Sequence, residues 1–276
     1  MRATLLVALA ATLAADTTPA KSDVLKRAAA YVDVQAELLP QLVAEERTRQ
    51  EQEPRLRADD VKVSRIERET WADFAWVRLD GLPEALGVRD VREVDAKPVG
   101  DEGRLERLLR SPVQGRLPAV QKILAESARY NLAPGSRNMN VPTFALFLLH
   151  RTLQPRFSWK PQKSEGSAVV LAFMERDRPT VIRGPALEPV FCRGRVWIDP
   201  ISGAVTRTEL RAQVRDPSDG FYTTYSLTVE FAIEPSLRLM LPRHLRERYE
   251  TRMTIVTGEA EYANYRRFQT GGRLIR

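Results

Sequence analysis

Side chains able to do nucleophilic or acid–base work are few in this sequence: one cysteine, Cys192, and two histidines, His150 and His244. A thiol nucleophile needs a base within hydrogen-bond reach, and nothing in the sequence sets Cys192 beside either histidine. Cys192 falls in the strand-like run VFCRGRVW (190–197), where a small buried thiol is the expected role. His150 closes an apolar segment, and His244 sits in the basic run MLPRHLRERYE (240–250). There is no HExxH, CxxC or paired Cys/His spacing, so the sequence points to no metal ligand. GxxxxGK[ST] and GxSxG are also missing, which leaves no signal for a phosphate loop or a hydrolase elbow. Glu45, Glu46, Asp90 and Glu93 show no spacing that would pair them for catalysis, and they read as solvated charges or arginine partners. The expectation is a protein that is not an enzyme and needs no cofactor. An exported enzyme without a recognisable motif is the alternative.

Charge decides less than its total suggests. Arginine and lysine number 43 against 36 acidic residues, for a net charge of +7, and only seven of the 43 are lysine. No run of five basic residues occurs, so the charge is expected on solvated strand faces rather than in a nucleic-acid patch. YANYRRF (262–268) mixes rings and cations, as a base-stacking site would. At strand spacing Tyr262 and Phe268 would face one way and Tyr265 and Arg267 the other. That suits a sheet edge with arginines over rings, and no nucleic-acid partner is expected.

The first residues, MRATLLVALAATLAAD, pair one arginine with an apolar run from Ala3 to Ala15. The run fits a translocation signal and is too short to cross a bilayer. Residues 1–15 are expected to be a cleaved signal peptide, leaving 16–276 as a single α+β domain that starts at Ala15 or Asp16. Asp16 stands where a lipid anchor would need cysteine. The expected location is periplasmic or secreted, with no transmembrane span in the mature chain.

The elements that would position any site follow from periodicity. Leu25, Ala29, Val32, Ala36, Leu39 and Val43 recur at helical spacing, predicting a helix over 22–53 that Pro40 kinks or breaks. DVKVSRI, WADFAWVRLDG and GVRDVREVDAKPVGD read as extended, and DEGRLERLLRSP and LPAVQKILAESARYNL as helices. NMNVPTFALFLLHRTL predicts a buried helix over 141–151, because Phe144 to Leu149 is apolar on every side.

From Arg156 onward the pattern is β. In GRVWIDPISGAVTRTELRAQVRD (194–216), Asp199-Pro200 suits a type I turn and Gly203 a residue with positive φ, so the stretch is a hairpin. Beyond the turn Ala204, Thr206, Thr208, Leu210, Ala212 and Val214 would share a dry face, with Arg207, Glu209, Arg211, Gln213 and Arg215 in water. The next run repeats the device, with Phe221, Tyr225, Leu227, Val229, Phe231 and Ile233 on one side. Such alternation means an antiparallel sheet with one wet face. The dry face is expected to be covered by helix 141–151 and the N-terminal helix. The fold class is therefore α+β: a curved antiparallel half-barrel meander wrapping central helices, with an N-terminal helix.

The order of these elements, with the meander carrying GRVWIDPISGAVTRTE, resembles the outer-membrane lipoprotein carrier superfamily, the LolA/LolB-like half-barrels. A finer pattern resembles a group of uncharacterised bacterial exported proteins. It is carried by VAEERTRQ (43–50), RDVREVDAKPVGDEGRLERLL (89–109), SARYNL (127–132), NMNVPTFALFLL (138–149), RPTVIRG (178–184) and YANYRRF. A turn like IDPISGAV also occurs in PepSY-type inhibitory domains, which keeps a second family open for that hairpin alone. The carrier resemblance implies an apolar concavity that holds acyl chains. The expected function is non-enzymatic binding of a lipidic ligand, such as a lipoprotein acyl chain, or of an envelope protein partner, on the concave face. Phe144, Phe147, Leu148, Leu210, Tyr225, Leu227, Val229 and Phe231 are the candidate ligand-binding residues. Whether that face is an open cavity or is filled by helix 141–151 stays open at the level of sequence.

Overall fold

A computed structural model describes residues 19–55, 65–82, 84–101, 103–132, 140–184, 186–215, 220–269 and 273–275. The expected signal peptide, Val61, Val63 and the residues 133–139 lie outside the described residues.

The described residues begin with helix α1 (Lys21–Leu38) and strands β1 (Leu42–Pro54), β2 (Ile66–Val77), β3 (Leu86–Val94) and β4 (Lys97–Pro98). Helices α2 (Arg104–Arg110), α3 (Arg116–Ala128) and the single turn α4 (Phe144–Phe147) follow. The remainder is β5 (Phe157–Pro161), β6 (Val169–Glu175), β7 (Ile182–Arg183), β8 (Pro189–Val190), β9 (Cys192–Ile198), β10 (Val205–Arg215), β11 (Tyr222–Glu234), β12 (Leu239–Glu250), β13 (Thr254–Gln269) and β14 (Arg273–Ile275). Twelve strands form one curved, unclosed antiparallel sheet in the order β4-β3-β2-β1-β13-β12-β11-β10-β9-β6-β5, with β14 on β13; β7 and β8 pair apart.

Two predicted helices are corrected. The expected helix over 22–53 ends at Leu38, and Pro40 occupies a 3₁₀ turn (Leu39–Gln41). Residues 42–54 are then β1, which pairs β13 on one side and β2 on the other and so joins the two ends of the chain. Glu, Arg and Gln favour helices in isolation, but two flanking ladders override that local preference. The predicted helix over 141–151 is helical only at 144–147. Beyond it the chain closes three-residue turns, with Leu149, His150 and Leu153 N–H groups donating to the carbonyls of Leu146, Phe147 and His150. The segment is buried all the same: Leu146, Leu148 and Leu149 belong to the core.

The sheet has an inner face, covered by α1 and residues 140–156, and an outer face. Registers place Phe74, Thr48, Tyr262, Leu245, Val229, Leu210 and Phe173 on the inner face of successive strands. A smaller cluster on the outer face of β1–β3 packs Val43, Ala75, Val77 and Val88 against α2 and α3.

Local breaks in alternation change three expected faces. A bulge between Val205 and Arg207 makes Val205, rather than Ala204 and Thr206, the buried residue at the start of β10. A bulge near Asn264, which has φ +50°, turns Tyr262 and Tyr265 to the same inner face and sends Phe268 to the outer cluster. Phe221 and Ile233 at the two ends of the β11 run extend past the cover and are exposed.

Candidate functional site

The inner face assembles the eight sequence-predicted residues into one apolar cluster. Leu148, Leu210, Leu227, Val229 and Phe231 are buried in it, and Phe144, Phe147 and Tyr225 pack at its margin. Alternation delivers the β10 and β11 members, since Leu210 and Leu227 are direct register partners. None of the eight lines the cavities described below. On this face they fill space against α1 and residues 140–156.

Two side chains fasten the covers. Gln154 Nε2 donates to the Leu25 carbonyl of α1 at 2.8 Å and to the Leu149 carbonyl at 2.6 Å. Trp76 Nε1 donates to Thr143 Oγ1 at 2.9 Å, tying β2 to the start of α4. Between the covers lies a groove of about 630 Å3, open to solvent, with Leu25, Ala29, Pro155, Phe157 and Trp159 as its apolar floor. Lys26 stands on its rim, with Arg151 paired to Asp33 beside it. Phe157 and Trp159 belong to the inner-face core, so the groove floor is continuous with it. Sequence reading missed this groove. Leu25 and Ala29 were legible as a helical stripe, but their partners in FSWKP are about 130 residues away.

The inner face also carries a buried ionic cluster. Glu46, 0% exposed, accepts from Arg89 Nε and Nη2, and Tyr262 Oη donates to Glu46 Oε1 at 2.6 Å. Arg89 lies 5.6 Å from the Phe74 ring centroid and bonds Asn140. Burial works against the Arg89 charge, but the Glu46 carboxylate outweighs it and holds the guanidinium charged. Burial, with the Glu46 charge behind it, holds the Tyr262 phenol protonated well above its ordinary range. A carboxylate so engaged and wholly buried positions elements. Asp90 likewise pairs with Arg104. Both carboxylates thus have the arginine partners expected of them.

The remaining reactive side chains lie apart from one another. Cys192 is buried; its Sγ lies 3.5 Å from Glu175 Oε2, and burial and that carboxylate both push the thiol far above its ordinary range. A cavity of about 530 Å3 lies beside this pair, at the ends of β6, β9 and β10. Glu175 is itself engaged by the backbone N–H of Val181 at 2.8 Å, which pins the loop between β6 and β9. His150 Nε2 lies 3.2 Å from Asp33 and Nδ1 2.8 Å from Thr152 Oγ1, on the far side of the covers. The Thr152 N–H also lies 3.3 Å from Nδ1. His244 sits on the outer face, 3.9 Å from Glu261. Among the described residues no cluster of three metal-ligating side chains forms, and no helix is long and apolar enough to cross a membrane.

The outer face is a charge lattice. Across one register row stand Glu230, His244, Glu261, Arg47 and Trp71; across the next, Thr228, Arg246, Glu259, Arg49 and Glu69. Arg47 and Arg92 lie 5.3 and 4.7 Å from the Trp71 centroid, and Arg195 and Arg207 lie 5.0 and 4.6 Å from that of Trp197. A shallow depression of about 640 Å3 over Trp71 is walled by both signs of charge and fixes no ligand class.

No family model and no curated protein matches this chain. One solved structure, titled "Lipid-protein interactions in lipovitellin", aligns over 85% of this chain and 26% of its own, at 9% identity and a TM-score of 0.29. The chain thus spans about a quarter of that protein, and a likeness this slight carries no argument.

Proposed function

We propose that this chain is an exported, non-catalytic binding protein whose ligand is a single-chain amphiphile. The acyl chain would lie on Leu25, Ala29, Phe157 and Trp159, and an anionic head would meet Lys26. The observation that carries this reading is the groove between the two covers: an apolar floor continuous with the core, under a rim that carries Lys26 and the Arg151–Asp33 ion pair. Ligand pockets combine apolar walls with a few placed polar groups, and this groove has that composition. The lipoprotein carrier resemblance points to the same ligand chemistry. The site differs from the one read from sequence, because the inner-face residues around Leu227 and Val229 are already packed.

Organic extraction and mass spectrometry of natively purified protein should recover a lipid or fatty acid. A fluorescent fatty acid should bind saturably, and Ala29→Trp, which fills the groove floor, should weaken that binding by about tenfold or more. Absence of both co-purified lipid and uptake would end the ligand reading. Export has its own measurement: N-terminal sequencing from a fractionated host should find Ala15 or Asp16 first, and an intact Met1 on a cytoplasmic product would refute it.

A further inference from the structure

The antiparallel order brings one set of strand ends to a common rim. The last residues of β1, β3, β6, β10 and β12 and the first of β2, β9, β11 and β13 lie there, as the register pairs Arg215–Tyr222, Glu250–Ile255, Pro54–Thr254 and Gln52–Ile66 require. Large apolar side chains gather on this rim in the open: Tyr222 at 59% exposure, Met253 at 58%, Met174 at 51%, Phe221 at 46%, and Phe191 and Ile66 at 42%. A soluble sheet ordinarily ends in polar turns, and exposed apolar groups that cluster mark an interaction surface.

The charges on the same rim indicate the partner. Arg252 lies 4.4 Å from the Phe221 centroid and Arg178 lies 5.8 Å from that of Phe191, so each exposed phenylalanine carries an arginine on its face. Arg55 and Arg215 bond only backbone carbonyls, those of Thr251 and Gly220. Among the described residues none of these four arginines is in a salt bridge, whereas the outer face pairs most of its arginines. Aromatic and thioether side chains that insert at headgroup depth, flanked by arginines outside salt bridges, match the chemistry of an anionic bilayer surface. We propose that this strand-end rim docks the protein on an anionic phospholipid membrane, with Phe221, Tyr222 and Met253 inserted and Arg215 and Arg252 on the headgroups.

The inference goes beyond the ligand reading and does not need it, because vesicle docking is measured without fatty-acid uptake. The test is co-sedimentation of the full chain with vesicles of phosphatidylcholine alone or mixed with phosphatidylglycerol, at low and high salt. Binding should require phosphatidylglycerol and weaken with salt. The double substitution Phe221→Ser with Met253→Ser, and separately Arg252→Glu, should each lower the partition coefficient by about tenfold. Ile201→Ser, on the turn at the opposite strand ends and 86% exposed, should leave it unchanged. Unchanged urea midpoints would establish that the variants fold. No binding to either vesicle, binding that survives both rim variants, an equal loss in Ile201→Ser, or a rim that engages only a protein would each overturn the proposal.

Discussion

The inner and outer faces of this sheet are built from the same strands and solve opposite problems. On β10 the residues Leu210 and Ala212 alternate with Glu209 and Arg211; one set is under a cover and the other is in water. The inner face becomes stable only by gaining a cover, and the buried charge it holds at Glu46 is met by Arg89 and Tyr262. Away from the part of β1–β3 that α2 and α3 cover, the outer face stays in water without a cover, and cross-strand pairs such as Arg246–Glu259 set opposite charges side by side there. A one-residue register slip would exchange the two sets, so the contrast between faces also fixes the pairing. One face is therefore sensitive to single substitutions and the other tolerant, and that asymmetry can be measured.

The largest expected effect is at the buried ion pair. Arg89→Ala should cost about 3–5 kcal/mol, because it leaves the fully buried Glu46 carboxylate with Tyr262 but without its cation. Replacing both residues by methionine should recover most of that loss. Urea denaturation of the three proteins decides it. A double variant as unstable as Arg89→Ala would mean that the pair itself, and not the uncompensated charge, sustains the fold.

Next comes the direct contrast of the two faces. Leu210→Ala removes a 1%-exposed side chain from the inner cluster and should cost about 2–5 kcal/mol. Arg246→Ala, which removes outer-face ion pairs to Glu230 and Glu259 at 3.5 Å, should cost no more than about 0.5 kcal/mol and less at high salt. Similar losses at the two positions would show that the outer lattice is more than a solubility device.

Gly203 sharpens the comparison where the β9–β10 turn meets the cover. Its φ of +76° disfavours any side chain, and a Cβ there would meet the Arg27 carbonyl of α1 at 2.4 Å. Gly203→Ala should cost about 1–3 kcal/mol, more than the turn alone explains, because α1 must shift with it. Hydrogen exchange should show faster opening of α1 in the variant; an α1 unaffected by the change would uncouple turn and cover.

Much of this was legible in advance, and what was not has a physical cause. Clean alternation made the β10 and β11 faces readable, and Asp199, Pro200 and Gly203 marked their turn. β1 was not readable, because its inner-face residues Glu46, Thr48 and Gln50 are polar and hide the period. The groups that engage Glu46 and Gln50 inside lie far along the chain: Arg89 and Tyr262 at Glu46, and the backbone of Tyr130 and Leu132 around Gln50. The apolar segment 141–151 was rightly read as buried and wrongly as continuous helix, since composition reports burial but not hydrogen-bond pattern. The groove was invisible for the reason β1 was: its two walls are joined only in three dimensions.

A smaller effect than that of Gly203 concerns the charge on the same turn. Asp199 Oδ1 accepts from the Ser202 N–H at 2.7 Å, the Ser202 hydroxyl at 2.8 Å and the Ile201 N–H at 3.1 Å. These bonds, the Ser202 backbone donor foremost, favour the carboxylate and hold its pKa below the ordinary 3.8. A depressed folded-state pKa means that the stabilisation is present above the unfolded value and is lost as pH falls through the folded value. Asp199→Asn keeps an acceptor oxygen and removes the charge, so at neutral pH it should cost less than about 1 kcal/mol at this exposed site. The gap between wild type and variant should then close as the pH falls below the ordinary carboxyl range. Urea midpoints of both proteins at neutral and strongly acidic pH measure that gap. If it is as wide in acid as at neutrality, the carboxylate charge contributes nothing to the turn, and the seat of the hairpin against α1 rests on the geometry of Gly203 alone.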